Sequence, residues 1–417
     1  TPPRSRAAIL LRAYDAIVER ADELADVIVR ENGKSWADAS GEVSYAAEFF
    51  RWYAEETPRI GGHLQTAPNG DKRILVIQQP IGVSILVTPW NFPAAMATRK
   101  IAPALAAGCP VVLKPASDTP LTALVIAEIL AEVGVPDGVV NVVPARRSGV
   151  VVAAMLDHPA TRKLSFTGST EVGRTLLHGA ADRVLSVSME LGGNAPLLVF
   201  DDADVDTAIE GAVVAKMRNG GQSCIAANRF FVQSGIYDAF AERLADAMAE
   251  LPMGNGTDRD MQVGAMINRG AVRDMVDLVG RSVDAGATIL TGGKPDDRPG
   301  AFYPPTVLAG VDDTNPILGH EIFGPIAPLV KFDTEDEAIA MANATQFGLA
   351  SYVFTADLAR ALRVSEKLDA GMVGVNRGFI SDPAAPFGGV KQSGLGREGG
   401  SEGIQEFLET KYIAVEW

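Results

Sequence analysis

Residues 110–143 read PVVLKPASDTPLTALVIAEILAEVGVPDGVVNVV and decide the fold. Two short runs rich in β-branched residues, 110–114 and 139–143, flank a segment at 119–133 whose apolar spacing predicts a helix. Strand, helix and strand in this order predict two parallel strands joined by a crossover helix. The stretch therefore predicts an α/β protein with a parallel sheet that carries helices on both faces.

The same alternation continues on either side of this stretch. Further strand-like runs lie at 73–79, 82–88 and 163–167, and helical patterns at 148–157 and 169–180. Upstream, residues 5–31 and 38–56 predict two opening helices. A second alternating series runs from 195 to 375, with helices predicted at 204–218, 236–250, 268–285, 335–344 and 357–369. We therefore expect a second α/β domain.

Composition limits the functional classes. A chain of 417 residues predicts two or three domains, and a net charge of −15 argues against a nucleic-acid partner. Two cysteines cannot build a disulfide framework, and the four histidines lack metal-ligand spacing, so we expect no metal and a reducing compartment. No run approaches the roughly 20 apolar residues that span a bilayer, and no signal-peptide pattern is present. The expectation is a cytoplasmic protein without a membrane partner.

A candidate nucleophile and a candidate base stand out. Gly221-Gln222-Ser223-Cys224 gives a thiol small and polar neighbours, so a substrate carbon has room to approach it. Glu190 ends the apolar run Val184 to Met189, where burial can raise the pKa of its carboxyl. The alternative is that Cys224 merely fills the core, as lone cysteines often do. Together the two groups indicate covalent acyl chemistry followed by hydrolysis.

Three turns carry further candidates. In Thr88-Pro89-Trp90-Asn91-Phe92-Pro93 two prolines fix the backbone, so Asn91 can act as a rigid oxyanion donor; a Pro-rich turn with a solvated Asn is the alternative. The turn from Phe166 to Gly173 has Gly168 and Gly173 between a strand and a helix, where backbone N–H groups can face a phosphate, although an ordinary βα turn is equally compatible. Lys114 and Ser117 follow another strand and can bind a ribose or its phosphate, unless Lys114 is a surface lysine.

Seven motifs in the same order resemble the aldehyde dehydrogenase superfamily over essentially the whole chain. They are Pro89-Trp90-Asn91, Lys114-Pro115, Phe166-Thr167-Gly168-Ser169, Glu190-Leu191-Gly192-Gly193, Gly221-Gln222-Ser223-Cys224, Glu321-Ile322-Phe323-Gly324-Pro325 and Pro386-Phe387-Gly388-Gly389. The resemblance implies a Rossmann-type NAD(P)-binding domain at 1–60 and 81–192 and an α/β catalytic domain at 193–390. It also implies a small β arm of oligomerisation strands at 61–80 and 404–417, hence a homodimer or homotetramer. Family members usually begin several dozen residues earlier, so we expect part of the first domain to be absent here.

The resemblance also implies roles for individual residues. Cys224 would be the nucleophile, Glu190 the general base, and Asn91 with the Cys224 backbone N–H the oxyanion hole. Thiolate attack on an aldehyde, hydride transfer to the nicotinamide and hydrolysis of the thioester would follow. The residues expected to contact the cofactor are Pro89, Trp90, Lys114, Ser117, Gly168, Ser169, Gly173, Leu191, Glu321 and Phe323.

Within the superfamily the chain is most similar to succinate-semialdehyde dehydrogenases, notably at 385–399, 188–196 and 227–230. In that subfamily two arginines and a serine bind the distal carboxylate of the substrate, and the matching positions are Arg99, Arg218 and Ser381. The alternative is that each arginine pairs with an acidic neighbour, since the chain is rich in acidic residues. Succinate semialdehyde is the first expected substrate and glutarate semialdehyde the second. Because Ser117 is not acidic, a 2′-phosphate is not repelled, so NADP is expected, with NAD possible.

Alternative functions stay open at this point. A CoA-acylating relative would transfer the acyl group to CoA, but Glu190 argues against it. A non-catalytic relative is a third possibility, which the presence of Cys224, Glu190 and Asn91 disfavours. A cysteine hydrolase would want a histidine partner, and no histidine lies in a suitable motif.

Overall fold

A computed structural model of the chain describes residues 1–416; Trp417, the end of the predicted oligomerisation strand, lies outside the described residues. The helices are α1 (Pro3–Glu19), α2 (Ala21–Asn32), α3 (Trp36–Glu56), α4 (Pro93–Ala107), α5 (Leu121–Glu132), α6 (Ser148–Asp157), α7 (Thr170–Ala181), α8 (Val205–Met217), α9 (Tyr237–Ala249), α10 (Arg269–Asp284), α11 (Glu335–Asn343), α12 (Leu358–Lys367) and α13 (Glu402–Gln405). The strands are β1 (His63–Thr66), β2 (Arg73–Pro80), β3 (Val83–Val87), β4 (Val111–Lys114), β5 (Val140–Val142), β6 (Thr161–Thr167), β7 (Ser186–Glu190), β8 (Ala195–Val199), β9 (Ala227–Gln233), β10 (Thr288–Thr291), β11 (Thr306–Ala309), β12 (Ile326–Phe332), β13 (Ala350–Phe354), β14 (Met372–Val375), β15 (Gly394–Leu395) and β16 (Leu408–Val415).

These strands form three sheets. The first has the order β15-β7-β6-β3-β4-β5, the second β10-β11-β12-β9-β8-β13-β14, and the third β1-β2-β16. Strands β3 to β7 of the first sheet run parallel, whereas β15 joins β7 antiparallel. The fold expected from the strand and helix order, a parallel α/β architecture with a small β arm, is therefore confirmed.

Side chains alternate between the two faces of the first sheet. Leu86, Val111 and Leu113 pack against α1 to α5, while Ile85 and Leu164 pack against α6 and α7. The second sheet is likewise covered on both faces by separate apolar cores. Because residues that point to either face are buried, the central strands of both sheets have nearly continuous apolar sequences.

The register of the first sheet sets the position of the site. Val87 pairs with Lys114 and with Phe166, and Thr167 pairs with Glu190. The carboxyl ends of β3, β4, β6 and β7 are therefore side by side, and the loops that follow them leave from one edge. In open α/β sheets this edge is where ligands bind.

One predicted element is wrong in a specific way. Residues 5–31 form two helices instead of one, because the backbone leaves helical geometry at Arg20 (φ −99°, ψ 23°). Arg20 pairs with Glu23 in the first turn of α2, where a carboxylate also suits the helix dipole. The apolar spacing runs through this break, so periodicity alone did not reveal it.

The third sheet stands apart from the other two. Its central strand, β2, pairs antiparallel with β1 and with β16, and β16 is exposed along nearly its whole length. Among residues 1–416, no helix has both the length and the apolar character needed to cross a membrane.

Candidate active site

Cys224 lies in a tight loop after α8. Asn219, Gly220 and Gly221 all have positive φ angles, which turn the chain sharply before the thiol. A Cβ at Gly221 would overlap the carbonyl oxygen of Gly324, so glycine is required for this packing. Burial raises the pKa of the Cys224 thiol to about 12, with Glu321 and Glu190 adding to the rise and Arg99 opposing it. The resting thiol of Cys224 is thus neutral, and it would have to lose its proton to act as a nucleophile.

Glu190 ends β7 and is only 3% exposed. Neither of its carboxylate oxygens has a hydrogen-bond partner among the described residues. Burial raises the pKa of Glu190 well above its usual range, and the nearby charge of Glu398 raises it further. A Cβ at Gly388 would come within 2.8 Å of Glu190 Oε1, so the absence of a side chain there leaves space beside the carboxylate. Glu190 is thus a buried carboxyl whose oxygens have no hydrogen-bond partner among the described residues and are not crowded by a side chain at position 388.

Asn91 is connected to the nucleophile loop through its side chain. Its Nδ2 donates to the carbonyl oxygen of Gln222 at 3.1 Å. The amide nitrogen carries two N–H groups, so one hydrogen remains for an incoming oxyanion. Asn219 Nδ2 donates to the main-chain oxygens of both Asn91 and Gln222, which locks the two loops together.

Arg99, one of the predicted carboxylate ligands, already has an acidic partner. Its Nε lies 2.6 Å from Glu398 Oε2, and its guanidinium stacks 4.1 Å from the Phe387 ring centroid. Lys100 forms a second ion pair with the same carboxylate. Although burial alone would raise it, these two cations hold the pKa of Glu398 below its ordinary value. The charge of Arg99 therefore acts on Cys224 and Glu190. Its guanidinium is already paired with Glu398 and is not free to bind a substrate carboxylate.

Arg218 and Ser381, the other two predicted ligands, are brought together. Arg218 Nη1 donates to Ser381 Oγ at 3.1 Å. The guanidinium lies over three rings, those of Phe92, Phe379 and Tyr45, at 4.7 to 5.8 Å from their centroids. Within residues 1–416 it forms no ion pair with a carboxylate. The carboxyl of Asp38 is nevertheless near, since the charges of Lys34 and Arg218 oppose the rise that burial causes in its pKa. An arginine without a direct ion pair can still bind an anionic ligand through its guanidinium.

Lys114 and Ser117 leave the sheet edge on the loop after β4. The Lys114 side chain is 5% exposed and has no hydrogen-bond or ion-pair partner in the described part of the chain. Burial lowers the pKa of Lys114, with the charge of Asp118 opposing the change. Ser117 is exposed and donates to the carbonyl oxygen of Ala145 at 2.8 Å. A lysine amine that forms no hydrogen bond within the described residues, on the same loop as an exposed hydroxyl, fits a ribose or phosphate ligand.

The glycine turn after β6 differs in detail from the prediction. The expected open N–H groups are used by the protein, because Gly168 N donates to Glu190 O and Gly173 N donates to Ser169 O. A Cβ at Gly173 would overlap the Leu191 side chain, so this glycine serves close packing beneath the site. Ser169 caps α7 by accepting from Val172 N. The N-terminal turn of α7, not the glycines, is the part that can face a phosphate.

Trp90, Glu321 and Phe323 surround a cavity of about 440 Å³ beside α10. Trp90 and Phe323 meet edge to face at 5.5 Å between ring centroids, and Phe323 has a φ of 51°. Burial raises the pKa of Glu321 to about 7, and Glu321 Oε1 accepts from Gly193 N. Pro89 directly precedes Trp90, and Leu191 directly follows Glu190. The cavity and the unpartnered Lys114 amine together fit a nicotinamide dinucleotide.

Sequence reasoning missed the buried ionic groups around the site. Lys100 and Glu398 were not singled out, nor were Lys34, Glu42 and Asn219, which contact the Asn91 turn. A signal existed for Lys100, because Arg99 and Lys100 interrupt an otherwise apolar helix, α4, that is buried on every side. Two cations in such a helix require acidic partners, although their positions could not be read from the sequence.

The chain is similar to known proteins over its whole length. The aldehyde dehydrogenase family profile matches residues 1–413. A succinate-semialdehyde dehydrogenase of Paenarthrobacter nicotinovorans is 54% identical over 415 residues, which are 100% of this chain and 92% of that protein. The NADP(+) succinate-semialdehyde dehydrogenase of Escherichia coli K12 and a glutarate-semialdehyde dehydrogenase of Pseudomonas aeruginosa are each 50% identical, covering 99% of this chain and 85% of theirs.

A solved structure agrees with these sequence relatives. The crystal structure of an NADP-dependent enzyme of Escherichia coli superposes with a TM-score of 0.99 at 49% identity, covering 100% of this chain and 86% of that one. Sequence and fold therefore lead to the same assignment: the chain belongs to the aldehyde dehydrogenase family.

Proposed function

We propose that this protein oxidises short aldehydes that carry a distal carboxylate, succinate semialdehyde first, to the corresponding acids with NADP⁺. The observation that carries this proposal is the Arg218–Ser381 pair, which places a guanidinium that forms no direct ion pair among the described residues beside a hydroxyl. Relatives named succinate-semialdehyde dehydrogenase support this proposal. A relative named glutarate-semialdehyde dehydrogenase makes glutarate semialdehyde the second candidate substrate. The two substrates share the distal carboxylate and differ by one methylene.

The proposed chemistry begins at Cys224. As its sulfur attacks the aldehyde carbon, the thiol proton passes to Glu190, whose raised pKa suits a proton acceptor for a weakly acidic thiol. The oxygen of the resulting thiohemiacetal accepts hydrogen bonds from the free Asn91 side-chain N–H and from the Cys224 backbone N–H. The bound nicotinamide would supply the acceptor for the hydride that leaves this carbon.

The second half-reaction removes the acyl group. Hydride loss leaves a thioester on Cys224. Glu190 first releases the thiol proton to solvent, and as a carboxylate it then takes a proton from the water that attacks the thioester carbon. Sulfur leaves as thiolate, is reprotonated, and the acid departs. Arg99 lowers the energy of negative charge at both sulfur and carboxylate, because its charge acts on both groups.

The cofactor proposal depends on Lys114 and Ser117. Neither position is acidic, so an adenosine 2′-phosphate meets a cation and a hydroxyl, not a carboxylate. Trp90, Glu321 and Phe323 would hold the nicotinamide half in their cavity. The Escherichia coli relative named as an NADP(+) enzyme supports NADP⁺, with NAD⁺ also accepted.

The test compares Arg218→Ala with the parent protein on succinate semialdehyde and on butanal, with NADP⁺ and NAD⁺ in parallel. Loss of hydrogen bonds to a charged group should lower kcat/KM for the acid roughly 10- to 150-fold. The effect should fall mainly on KM, and butanal should change little because it has no carboxylate to lose. Reduced-cofactor absorbance measures each rate.

Arg243→Ala is the matched control, since Arg243 pairs with Asp206 at the protein surface. If Arg218→Ala lowered kcat/KM equally for both aldehydes, Arg218 would not bind the substrate carboxylate, although the dehydrogenase assignment would stand. Failure of the parent protein to prefer succinate semialdehyde over butanal would overturn the substrate proposal itself.

The domain and assembly predictions also continue as proposals. We propose an NAD(P)-binding domain at 1–60 and 81–192, a catalytic domain at 193–390 and oligomerisation strands at 61–80 and 404–417. The three separate sheets support this division, and the exposed edge strand β16 supports a homodimer or homotetramer. A cytoplasmic location suits Cys224, which must remain a free thiol to react.

A further inference from the structure

The joint between α2 and α3 contains a completely buried ion pair. Lys34 Nζ lies 2.7 Å from Glu42 Oε2, and both side chains are 0% exposed. Charges are taken from water at high cost, so a buried pair persists only where further hydrogen bonds satisfy both partners. The question is therefore which groups supply those bonds.

Both charges bind the turn that carries Asn91. Lys34 Nζ donates to the Asn91 carbonyl oxygen at 2.7 Å and lies 4.1 Å from the Phe92 ring centroid. Glu42 Oε1 accepts from the backbone N–H groups of Ala94 and Ala95, at 2.8 and 3.2 Å. The anion thus caps the N-terminus of α4, and the cation holds the residue just before it.

The result is a fixed main chain at the oxyanion donor. The Asn91 carbonyl oxygen receives Lys34 Nζ on one side and Asn219 Nδ2, at 2.9 Å, on the other. With the carbonyl held twice and α4 capped by Glu42, the Asn91 side chain has one direction left, toward the loop of Cys224. Donor groups stabilise an oxyanion only when they are held within a fraction of an ångström of the correct position.

The joint itself is rigid. Gly33 ends α2 with a φ of 91°, and its carbonyl oxygen accepts from Ala265 N at 2.8 Å. Asn32 Nδ2 donates to the Trp90 carbonyl oxygen at 2.9 Å, one residue before Asn91. Neighbouring residues of one short joint therefore contact neighbouring residues of the catalytic turn.

We propose that Lys34 and Glu42 are positioning residues for the oxyanion hole, acting on the reaction through Asn91. The proposal rests on the proposed function only in requiring that Cys224 attacks a carbonyl group. It does not depend on which aldehyde is the substrate, because the clamp formed by Lys34 and Glu42 contacts the main chain of the Asn91 turn. Lys34 and Arg218 lie over the same Phe92 ring, so substrates without a carboxylate are needed to separate an effect on Asn91 from an effect on Arg218. The loss of kcat on substitution of Lys34 should therefore appear with any carbonyl compound that Cys224 attacks.

The test is a double-mutant cycle between Lys34→Met and Asn91→Ala. Three reactions are followed: oxidation of succinate semialdehyde, oxidation of butanal, and acylation by 4-nitrophenyl acetate, which releases nitrophenolate without cofactor. Lys34→Met should lower kcat by roughly 10- to 100-fold in all three, a part of the effect of losing an oxyanion donor. KM for the cofactor should stay within about twofold. In the Asn91→Ala background, Lys34→Met should have no more than about a twofold further effect.

A second variant guards against simple unfolding. Lys34→Met with Glu42→Gln removes both charges of the pair, while the glutamine side-chain oxygen can still accept from the backbone N–H groups of Ala94 and Ala95. It should unfold near the parent temperature yet keep the loss in kcat. Lys72→Met is the matched control, since Lys72 pairs with Asp71 at the surface.

Equal losses with and without Asn91 would overturn the proposal, as would parent-like kcat in the folded double variant. Failure of the proposed substrate gives a different pattern. In that case succinate semialdehyde is not preferred by the parent protein, but the ester and butanal still report the clamp.

Discussion

Cys224 and Glu190 have pKa values shifted in the same direction by the same cause. Burial raises both, so at neutral pH the thiol is protonated and the carboxyl holds its proton more strongly than usual. A stronger base is useful here, because it reduces the difference in pKa between the Cys224 thiol, which donates the proton, and the Glu190 carboxylate, which accepts it. The cost is that Glu190 must itself be deprotonated to act, which sets an acid limit on the reaction.

The acid limit gives a testable profile. Since the folded pKa of Glu190 is raised, kcat should fall as the pH drops through values above the ordinary carboxyl range, and rise as the pH increases. Glu190→Gln should abolish this limb and reduce steady-state kcat roughly 10²- to 10⁴-fold. A burst of about one reduced cofactor per site should remain but form more slowly, because Glu190 also accepts the thiol proton in the first step and the thioester, once formed, is not hydrolysed.

Rapid-mixing absorbance measures the burst, and added hydroxylamine should restore turnover by attacking the thioester directly. Glu250→Gln, at the exposed end of α9, is the matched control. A variant that hydrolyses the thioester at the parent rate would remove Glu190 from this role.

At the scale of elements, the loops that follow β7 and α8 approach so closely that a side chain is excluded between them. A Cβ at Gly193, just after Glu190 and its strand, would overlap the carbonyl oxygen of Cys224. The obstacle is backbone, which cannot rotate away as a side chain could. The two loops can therefore pack this closely only because Gly193 has no Cβ atom.

Gly193→Ala should force these loops apart. We expect a destabilisation of about 1–3 kcal/mol, as for an overpacked core, and a loss of kcat larger than the change in KM. Thermal unfolding and steady-state kinetics measure the two effects. Gly280→Ala is the control, because nothing lies within 4 Å of its added Cβ in α10 and helix propensity should favour it by about 0.5–1 kcal/mol. Parent-like behaviour of Gly193→Ala would mean that the loops separate easily.

The elements were more predictable than the contacts between them. The helices at 148–157 and 269–284 follow from periodicity, because each buries a local apolar stripe that the sequence displays. The break at Arg20 and the partners of Lys100 depend on residues distant in sequence, such as Glu398. Motif resemblance named Cys224, Glu190 and Asn91, whereas only coordinates related Lys34 and Glu42 to Asn91.

At the scale of the whole molecule, β16 is the unpaired edge of the third sheet. Tyr412 is 53% exposed, and Ile413 and Val415 are also exposed. An apolar edge strand with open hydrogen-bonding groups invites pairing with a second chain. This feature supports the proposed homo-oligomer.

Tyr412→Asp should therefore shift the mass in solution toward the monomer, because it places a charge in the proposed contact. Light scattering after gel filtration measures the mass of the parent and the variant. Leu358→Asp, which changes another exposed apolar residue away from β16, should leave the mass unchanged. An unchanged mass for Tyr412→Asp, or a monomeric parent protein, would remove β16 as the interface.

The pairing of β15 with β7 has a consequence for the order in which the protein is made. Gly394 and Leu395 complete the first sheet beside Glu190, and Glu398 then pairs with Lys100, 298 residues earlier in the chain. Lys34, near the start, is equally needed around Asn91. A growing polypeptide on the ribosome therefore carries Cys224 well before β15 and Glu398 have been made. We expect the surroundings of the thiol to be complete only when translation is almost finished.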